Sequence, residues 1–208
     1  MRIKSLASTA DRTGRFKVVL EDDSVLRLYR QTVQDFCLYP GAELSDEQLS
    51  QLQTAAGEMS AKMRAMRIVS ASNVSKSDLQ HRLIQKGETP EQAKAAVKWM
   101  SDLSLVDDAK TAELIVSRCI AKGYGLARAK QALYEKRVPK ALWAEALADY
   151  PEQIDKIMDF LESRLDGNAS NKDVKRAIDA LLRRGHSYGA VRTALSQMSL
   201  DSDEFQED

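Results

Sequence analysis

Two cysteines, two histidines, two tryptophans and four prolines are spread thinly over 208 residues. Cys37 and Cys119 show no Cys-x-x-Cys spacing, so neither a disulfide framework nor a zinc site is expected. Both fall at apolar-periodic positions and are expected to be small buried hydrophobes. His81 and His186 lie far apart, without an acid–base partner at an obvious spacing. That pattern argues against a metal centre or a catalytic triad, and both are expected as partly exposed helix or helix-start residues. No apolar run approaches the ~18 residues needed to span a bilayer, and the N-terminus lacks a signal-peptide core. The expected location is the cytoplasm, with no membrane partner. A net charge is missing too, since 31 basic residues balance 31 acidic ones.

The balance is unevenly laid out. Residues 1–61 hold 7 basic and 9 acidic side chains, residues 62–200 hold 24 and 17, and residues 201–208 hold five acids and no base. A basic body with an acidic tail suits a polyanionic partner or an acidic protein surface, although a solvated helical surface carries a similar excess. What is plentiful is apolar and charged side chains, 43% and 30% of the chain, which describes a soluble, helix-compatible protein with enough core for more than one unit.

Residues 2–30 read as a three-strand meander: Arg2 to Leu6, Phe16 to Leu20 and Val25 to Tyr29 are separated by the clusters Asp11-Arg12-Thr13-Gly14 and Glu21-Asp22-Asp23. Three such short strands need a helical support. Thr32 to Leu38 suits a short helix with Val33, Phe36 and Cys37 on one face, ended by Pro40-Gly41. Ser45 and Gln48 form a capping-box pattern that opens a helix to about Ala71. Leu49, Leu52, Ala56, Met59, Met63 and Met66 make its apolar stripe, and a bend or break is plausible at Gly57.

From Ser75 onward the chain repeats. Leu83-Ile84-Gln85-Lys86-Gly87 superposes on Leu133-Tyr134-Glu135-Lys136-Arg137 and on Leu181-Leu182-Arg183-Arg184-Gly185, at offsets of 50 and 48 residues. In the same register Leu79, Ala129 and Ala177 align, as do Ala93, Trp143 and Val191, then Ala96, Ala146 and Ala194. Helix-start signals recur at Thr89 with Pro90, at Pro139 and at Ser187. A further helix precedes the second copy, Asp108 to Lys122 with Gly123 as its stop. Another precedes the third, roughly Pro151 to Asp166 with Gly167 as its stop. Each unit is therefore expected to hold three helices of about 10 to 16 residues. Stacked units give a mainly α fold, tandem three-helix repeats in an elongated curved array with a small N-terminal β-meander. The expected divisions are a β-rich extension at 1–44, helical repeats at 45–106, 107–150 and 151–200, and a disordered acidic tail at 201–208.

Leu103-Ser104-Leu105-Val106-Asp107-Asp108, then Ala112, Gly123-Tyr124-Gly125, Arg128 and Leu133, resembles the signature of the RecX family of regulatory proteins, modulators of the bacterial recombinase RecA. The resemblance covers essentially the whole chain and is most specific in the second repeat. Two departures stand out: Lys110-Thr111 where family members usually carry an aromatic, and Arg137 where a glycine is typical. The resemblance implies a monomeric non-enzyme without cofactors that binds RecA filaments on DNA and restrains strand exchange, ATP turnover and co-protease activity. It thereby bears on DNA repair and the SOS response. Two alternatives stay open: a direct nucleic-acid-binding protein that acts without RecA, weak DNA binding being compatible with either, and a general helical-repeat adaptor.

The candidate contact residues are mostly basic: Arg82, Lys86, Arg118, Lys122, Arg128, Lys130, Lys136, Arg137, Lys175, Arg176, Arg183 and Arg184. Lys86, Lys136 and Arg184 share one register. Arg128 and Lys130 stand near a helix N-terminus, where the dipole gives cations no intrinsic advantage. Tyr124, between two glycines, is the candidate exposed aromatic, whereas Trp99 and Trp143 are expected in the core. Asp107-Asp108 reads as a helix start and not as chemistry, with Asp108→Ala expected to lower stability by about 1 kcal/mol.

Overall fold

The structure, a computed structural model, describes residues 1–9, 14–165 and 169–198. The expected turn at Asp11-Arg12-Thr13, the helix end at Asp166 and Gly167, and the acidic tail lie outside those residues. The chain divides into two compact units, one of residues Met1–Val106 and a second beginning at Asp107. It is mainly helical, with one small sheet.

In the first unit β1 (Ile3–Ser8), β2 (Arg15–Leu20) and β3 (Val25–Tyr29) form an antiparallel meander in the order β1-β2-β3. Alternation sends Val18, Leu20 and Leu28 to one buried face. That face closes on Val33 of α1 (Arg30–Asp35) and on Leu49, Leu52 and Ala56 at the start of α2 (Asp46–Ala71). The helical support that so small a sheet requires is thus supplied by the next element in the chain. Cys37 does not join this core. It follows α1 in a left-handed conformation, φ 49°, and is exposed.

The predicted capping box opens α2: Ser45 accepts from the Gln48 backbone N–H, and the Gln48 side chain accepts from that of Ser45. The helix runs unbroken through Gly57, contrary to the expected bend. Its buried stripe also differs, with Leu52, Ala61 and Ala65 inward while Met59 and Met63 are half-buried and Met66 is 39% exposed. Small residues win at these positions because α4 (Pro90–Asp102) crosses α2 closely. A Cβ on Gly57 would sit 2.0 Å from the Gln92 side-chain nitrogen. With α3 (Lys76–Gln85), these helices enclose Ala61, Ala65, Leu79, Leu83, Ala93, Ala96 and Met100. Pro90 opens α4 behind Thr89, which caps the Gln92 N–H.

The second unit holds two further bundles. In one, α5 (Asp108–Ala121) and α6 (Leu126–Glu135) pack Ala112, Ile115, Val116, Cys119, Ala129 and Leu133 together. Its third helix is much shorter than expected: a 3-10 turn over Lys140–Leu142 and a single helical turn, α7 (Trp143–Ala146). Pro139 occupies the capping position that Thr89 and Ser187 hold in the other copies, but it offers no side-chain oxygen to the free N–H groups. Accordingly Trp143 and Ala146 are only half-buried, and the Trp143 Nε1–H donates to the Val138 carbonyl at 3.1 Å. The other bundle comprises α8 (Ile154–Glu162), α9 (Asn171–Arg183) and α10 (Tyr188–Gln197) around Ile157, Leu161, Ile178, Leu181 and Leu195. Helix α8 starts three residues later than predicted, after Gln153 in a left-handed conformation, φ 58°.

Asp107 is the cap of α5. One of its carboxylate oxygens accepts from Ala109 N at 2.9 Å and Lys110 N at 3.2 Å, and Asp108 lies in the first turn. The expected role therefore moves one residue upstream. Asp107→Ala should lower stability by about 1 kcal/mol and Asp108→Ala by less, as read from denaturant midpoints. The equivalent helices α3, α6 and α9 are followed by Gly87 at φ 92°, Arg137 at φ 52° and Gly185 at φ 89°. The departure at Arg137 thus places a Cβ in the left-handed region, at a cost of about 1 kcal/mol.

Candidate functional site

The Gly123-Tyr124-Gly125 turn between α5 and α6 is where the two bundles of the second unit meet. Gly125 N–H donates to the Arg184 carbonyl at 3.0 Å, and Ala127 N–H donates to that of Gly185 at 3.1 Å. His186 Nε2 lies 3.0 Å from the Gly123 carbonyl. The backbones touch because neither side carries a side chain there. A Cβ on Gly125 would lie 2.0 Å from the Gly185 carbonyl oxygen, and one on Gly185 would lie 2.3 Å from Arg128 N. Gly125 has φ −76°, which any residue adopts, so close approach alone calls for glycine at this position.

Tyr124 is therefore not the exposed aromatic that its glycine neighbours suggested. It is half-buried, and its carbonyl accepts from Tyr150 Oη and from Gln153 Nε2, both at 2.6 Å. Burial pushes the Tyr150 phenol up to about 12, which keeps it protonated and donating. The Arg184 guanidinium lies over Phe160 at 4.9 Å and over Tyr124 at 6.0 Å from the ring centroids, a cation stacked between bundles.

His186, expected to be partly exposed, is buried, and its Nδ1 has no partner. Burial, with the Arg184 charge as a smaller cause, holds its pKa below the ordinary histidine value, against the pull of the Gly123 carbonyl. A folded-state pKa below the unfolded one means that the neutral ring's contribution is complete above the ordinary value of about 6.5 and is lost as pH falls through the folded value. The thermal midpoint should therefore drop as pH falls from about 7 to about 5. His186→Gln should flatten that dependence.

The basic candidates separate into groups. In the first unit Arg82 and Lys86 line one hollow together with Arg15, Arg64 and Arg67, three residues that sequence reasoning missed. Arg64 and Arg67 were findable, being three apart on α2 on a face that the methionine stripe overshadowed. Arg15 was not, since only strand pairing brings β2 to this place. In the second unit Lys122 and Arg184 share a shallow hollow with Lys156, Asp159 and Phe160. Arg128 is ion-paired to Glu135 at 3.0 Å on its own helix, so α6 does supply it with a partner. The pair is solvent-exposed and of small stabilising value. Lys130, Arg118, Lys175 and Arg183 are exposed, as is Arg176, which pairs with Asp173 at 3.3 Å. Lys86, Lys136 and Arg184 each cap the C-terminus of the second helix in their bundle, where a cation complements the helix dipole. Arg137 is exposed beside Lys136.

Among the described residues no group of three or more His, Cys, Asp or Glu is gathered to hold a metal ion, and no helix is long and apolar enough to cross a membrane.

Residues 107–147, which contain α5, α6 and α7, match the family model described as RecX, second three-helix domain. "Regulatory protein RecX" of Streptococcus gordonii is 24% identical over 189 residues, covering 89% of this chain and 73% of that protein. The protein of the same description from Lactobacillus johnsonii is 25% identical over 210 residues, covering 98% and 78%. A solved structure described as regulatory protein RecX superposes with a TM-score of 0.65 over 94% of this chain and 98% of that one; at 19% identity it speaks to the fold alone. Matched in its middle bundle by the family's own model, and along nearly its whole length by curated proteins at 24–25% identity, the chain is similar to the RecX regulatory proteins.

Proposed function

We propose that this protein binds the RecA recombinase assembled as a filament on DNA. By occupying it stoichiometrically, the protein restrains strand exchange, ATP turnover and co-protease activity. The observation that carries the reading is the repeated cation at one helix end. Lys86, Lys136 and Arg184 terminate equivalent helices in three consecutive bundles, beneath the family signature at Asp107 to Leu133. A cation repeated at equivalent helix ends suits a periodic partner, since a filament presents the same acidic or phosphate groups again and again.

In this reading the exposed members of the basic set make the contacts: Arg118, Lys122, Lys130, Arg137, Lys175, Arg176 and Arg183, with Arg128 and Lys136 between them. The Gly123-Tyr124-Gly125 turn holds two of the bundles in place. The protein acts as a monomer in the cytoplasm, consumes nothing and needs no cofactor. Its effect on DNA repair and the SOS response follows from how much of the filament it occupies.

Sedimenting RecA filaments assembled on single-stranded DNA in the presence of the full chain tests the binding step. The chain is expected in the pellet with the filaments, and in the supernatant when they are omitted. A chain that stays in the supernatant beside intact filaments contradicts the reading.

A further inference from the structure

The first unit contains a hollow of about 560 Å³ lined by five cations together with Ile68, Ala71 and Ser72. Arg15 reaches it from β2, Arg64 and Arg67 from α2, Arg82 from α3, and Lys86 from the end of α3. Among the described residues no acidic one lines it. Two carboxylates lie behind the rim, both buried: Glu88 pairs with Arg64 at 2.8 Å and Asp78 with Arg82 at 2.9 Å. Arg15, Arg67 and Lys86 therefore face the hollow without a carboxylate in ion-pair distance among the described residues.

The manner in which the unpaired arginines are held is informative. Arg15 donates to the Tyr29 hydroxyl at 2.8 Å and Arg67 donates to the same oxygen at 2.7 Å. Arg15 also lies over the Tyr29 ring, 4.7 Å from its centroid, and its Nε is buried with no acceptor. Two guanidiniums from separate elements thus converge on one neutral oxygen. The hydroxyl orients them and does not neutralise them, so like charges are kept close together around open space. Arg64 is fixed from the far side, donating to the Lys86 carbonyl as well as to Glu88, and Arg82 reaches the Ser72 hydroxyl besides Asp78. Packing alone would favour shorter or uncharged side chains at such a rim. A preorganised set of planar donors without counter-charge suits oxyanions.

We infer that this hollow binds the phosphodiester backbone of a nucleic-acid strand. Its volume greatly exceeds that of a single phosphate group, and its cations come from four positions around the rim, so they can engage successive phosphates. Among the described residues the lining includes no open aromatic face: Tyr29 is buried beneath Arg15, and Ile68 and Ala71 are the apolar members. Binding is accordingly to the backbone and independent of sequence, with phosphate contacts supplying the affinity. This site does not rest on the RecA reading, because no recombinase is needed to fill it.

The test is fluorescence anisotropy of labelled single-stranded and duplex oligonucleotides, titrated with the full chain at several salt concentrations and without RecA. The expected result is binding at low salt that weakens linearly in log–log form, with a slope of about 0.7 to 0.9 per phosphate engaged. Arg15→Gln with Arg67→Gln should lower the slope by about 1 to 2 and weaken low-salt binding at least about tenfold. Lys86→Gln changes an exposed side chain whose only part in the fold is a small complement to the helix dipole, and should lower the slope by nearly 1 even if the double variant folds poorly. Lys94→Gln with Lys98→Gln, exposed on α4 and outside the lining of the hollow, should leave the slope unchanged. Wild-type chain that binds neither oligonucleotide at low salt overturns the inference, as does a slope unmoved by both the double variant and Lys86→Gln. Failure here with retained RecA inhibition removes this site and leaves the RecA reading standing. Oligonucleotide binding without any effect on RecA does the reverse.

Discussion

Gly125→Ala is expected to destabilise the chain by on the order of 3 kcal/mol or more, out of a total that for ordinary domains is about 5–15 kcal/mol. The added methyl group would lie 2.0 Å from the Gly185 carbonyl oxygen and 2.2 Å from His186 N. Both are backbone atoms held by their own hydrogen bonds, so no side chain can rotate away. The segments must separate by more than 1 Å, at an overpacking cost of about 1–3 kcal/mol. Separation also weakens the Gly125 N–H to Arg184 and Ala127 N–H to Gly185 bonds, worth about 1 kcal/mol each. Gly57→Ala is the matched control. Its methyl group meets only the Gln92 amide, which can move at the expense of its capping bond from Thr89 N–H; that loss of about 1 kcal/mol is offset by the gain of about 1 kcal/mol in helix propensity, so the net change should be near zero. Denaturant melts of the two variants decide the point. Equal, small effects would mean that the Gly-Tyr-Gly turn does not fasten the two bundles.

The second large effect is functional. Arg128→Glu combined with Lys136→Glu should weaken inhibition of RecA about tenfold or more, as each reversal exchanges an attraction for a repulsion worth about 1 kcal/mol at a polar interface. The fold should tolerate both changes. Arg128 gives up an exposed ion pair to Glu135, and a carboxylate at the α6 C-cap opposes the dipole, each at a cost of about 0.5 kcal/mol. Circular dichroism is expected to show unchanged helical content. Full inhibition by the double variant would take both residues out of the interface.

Much of the architecture was legible in the sequence because it is written in short-range chemistry. Ser45 with Gln48 and Thr89 with Gln92 announce helix starts through hydrogen bonds that span three residues. The register of Leu83, Leu133 and Leu181 announces the repeat because all three must be buried, and all three are. The misreadings share a different cause. Met59, Met63 and Met66 fit a helical period, yet the close crossing of α4 over α2 reserved the inner positions for Ala61 and Ala65. The third helix of the middle bundle was overestimated because Pro139 was taken as equivalent to a capping hydroxyl, which it replaces in position but not in chemistry.

The candidate site was read less well, for the same reason. Charge in the sequence says which residues are basic, not which ones converge. Tyr124 looked available because it stands between two glycines and His186 because it precedes a helix start, yet the glycines at 125 and 185 are what allow the neighbouring backbone to come close. Arg15 drew no reading from the sequence, and only strand pairing brings it to the same phenol oxygen as Arg67.

The central proposal, that this chain regulates RecA by binding it, is tested most directly by titrating the full chain into RecA on single-stranded DNA while following ATP hydrolysis and strand exchange. The expected result is inhibition of both that saturates at a fixed ratio of chain to RecA, under salt conditions where the chain does not bind bare DNA. ATP hydrolysis and strand exchange that run at their full rates with the chain in stoichiometric excess would contradict it.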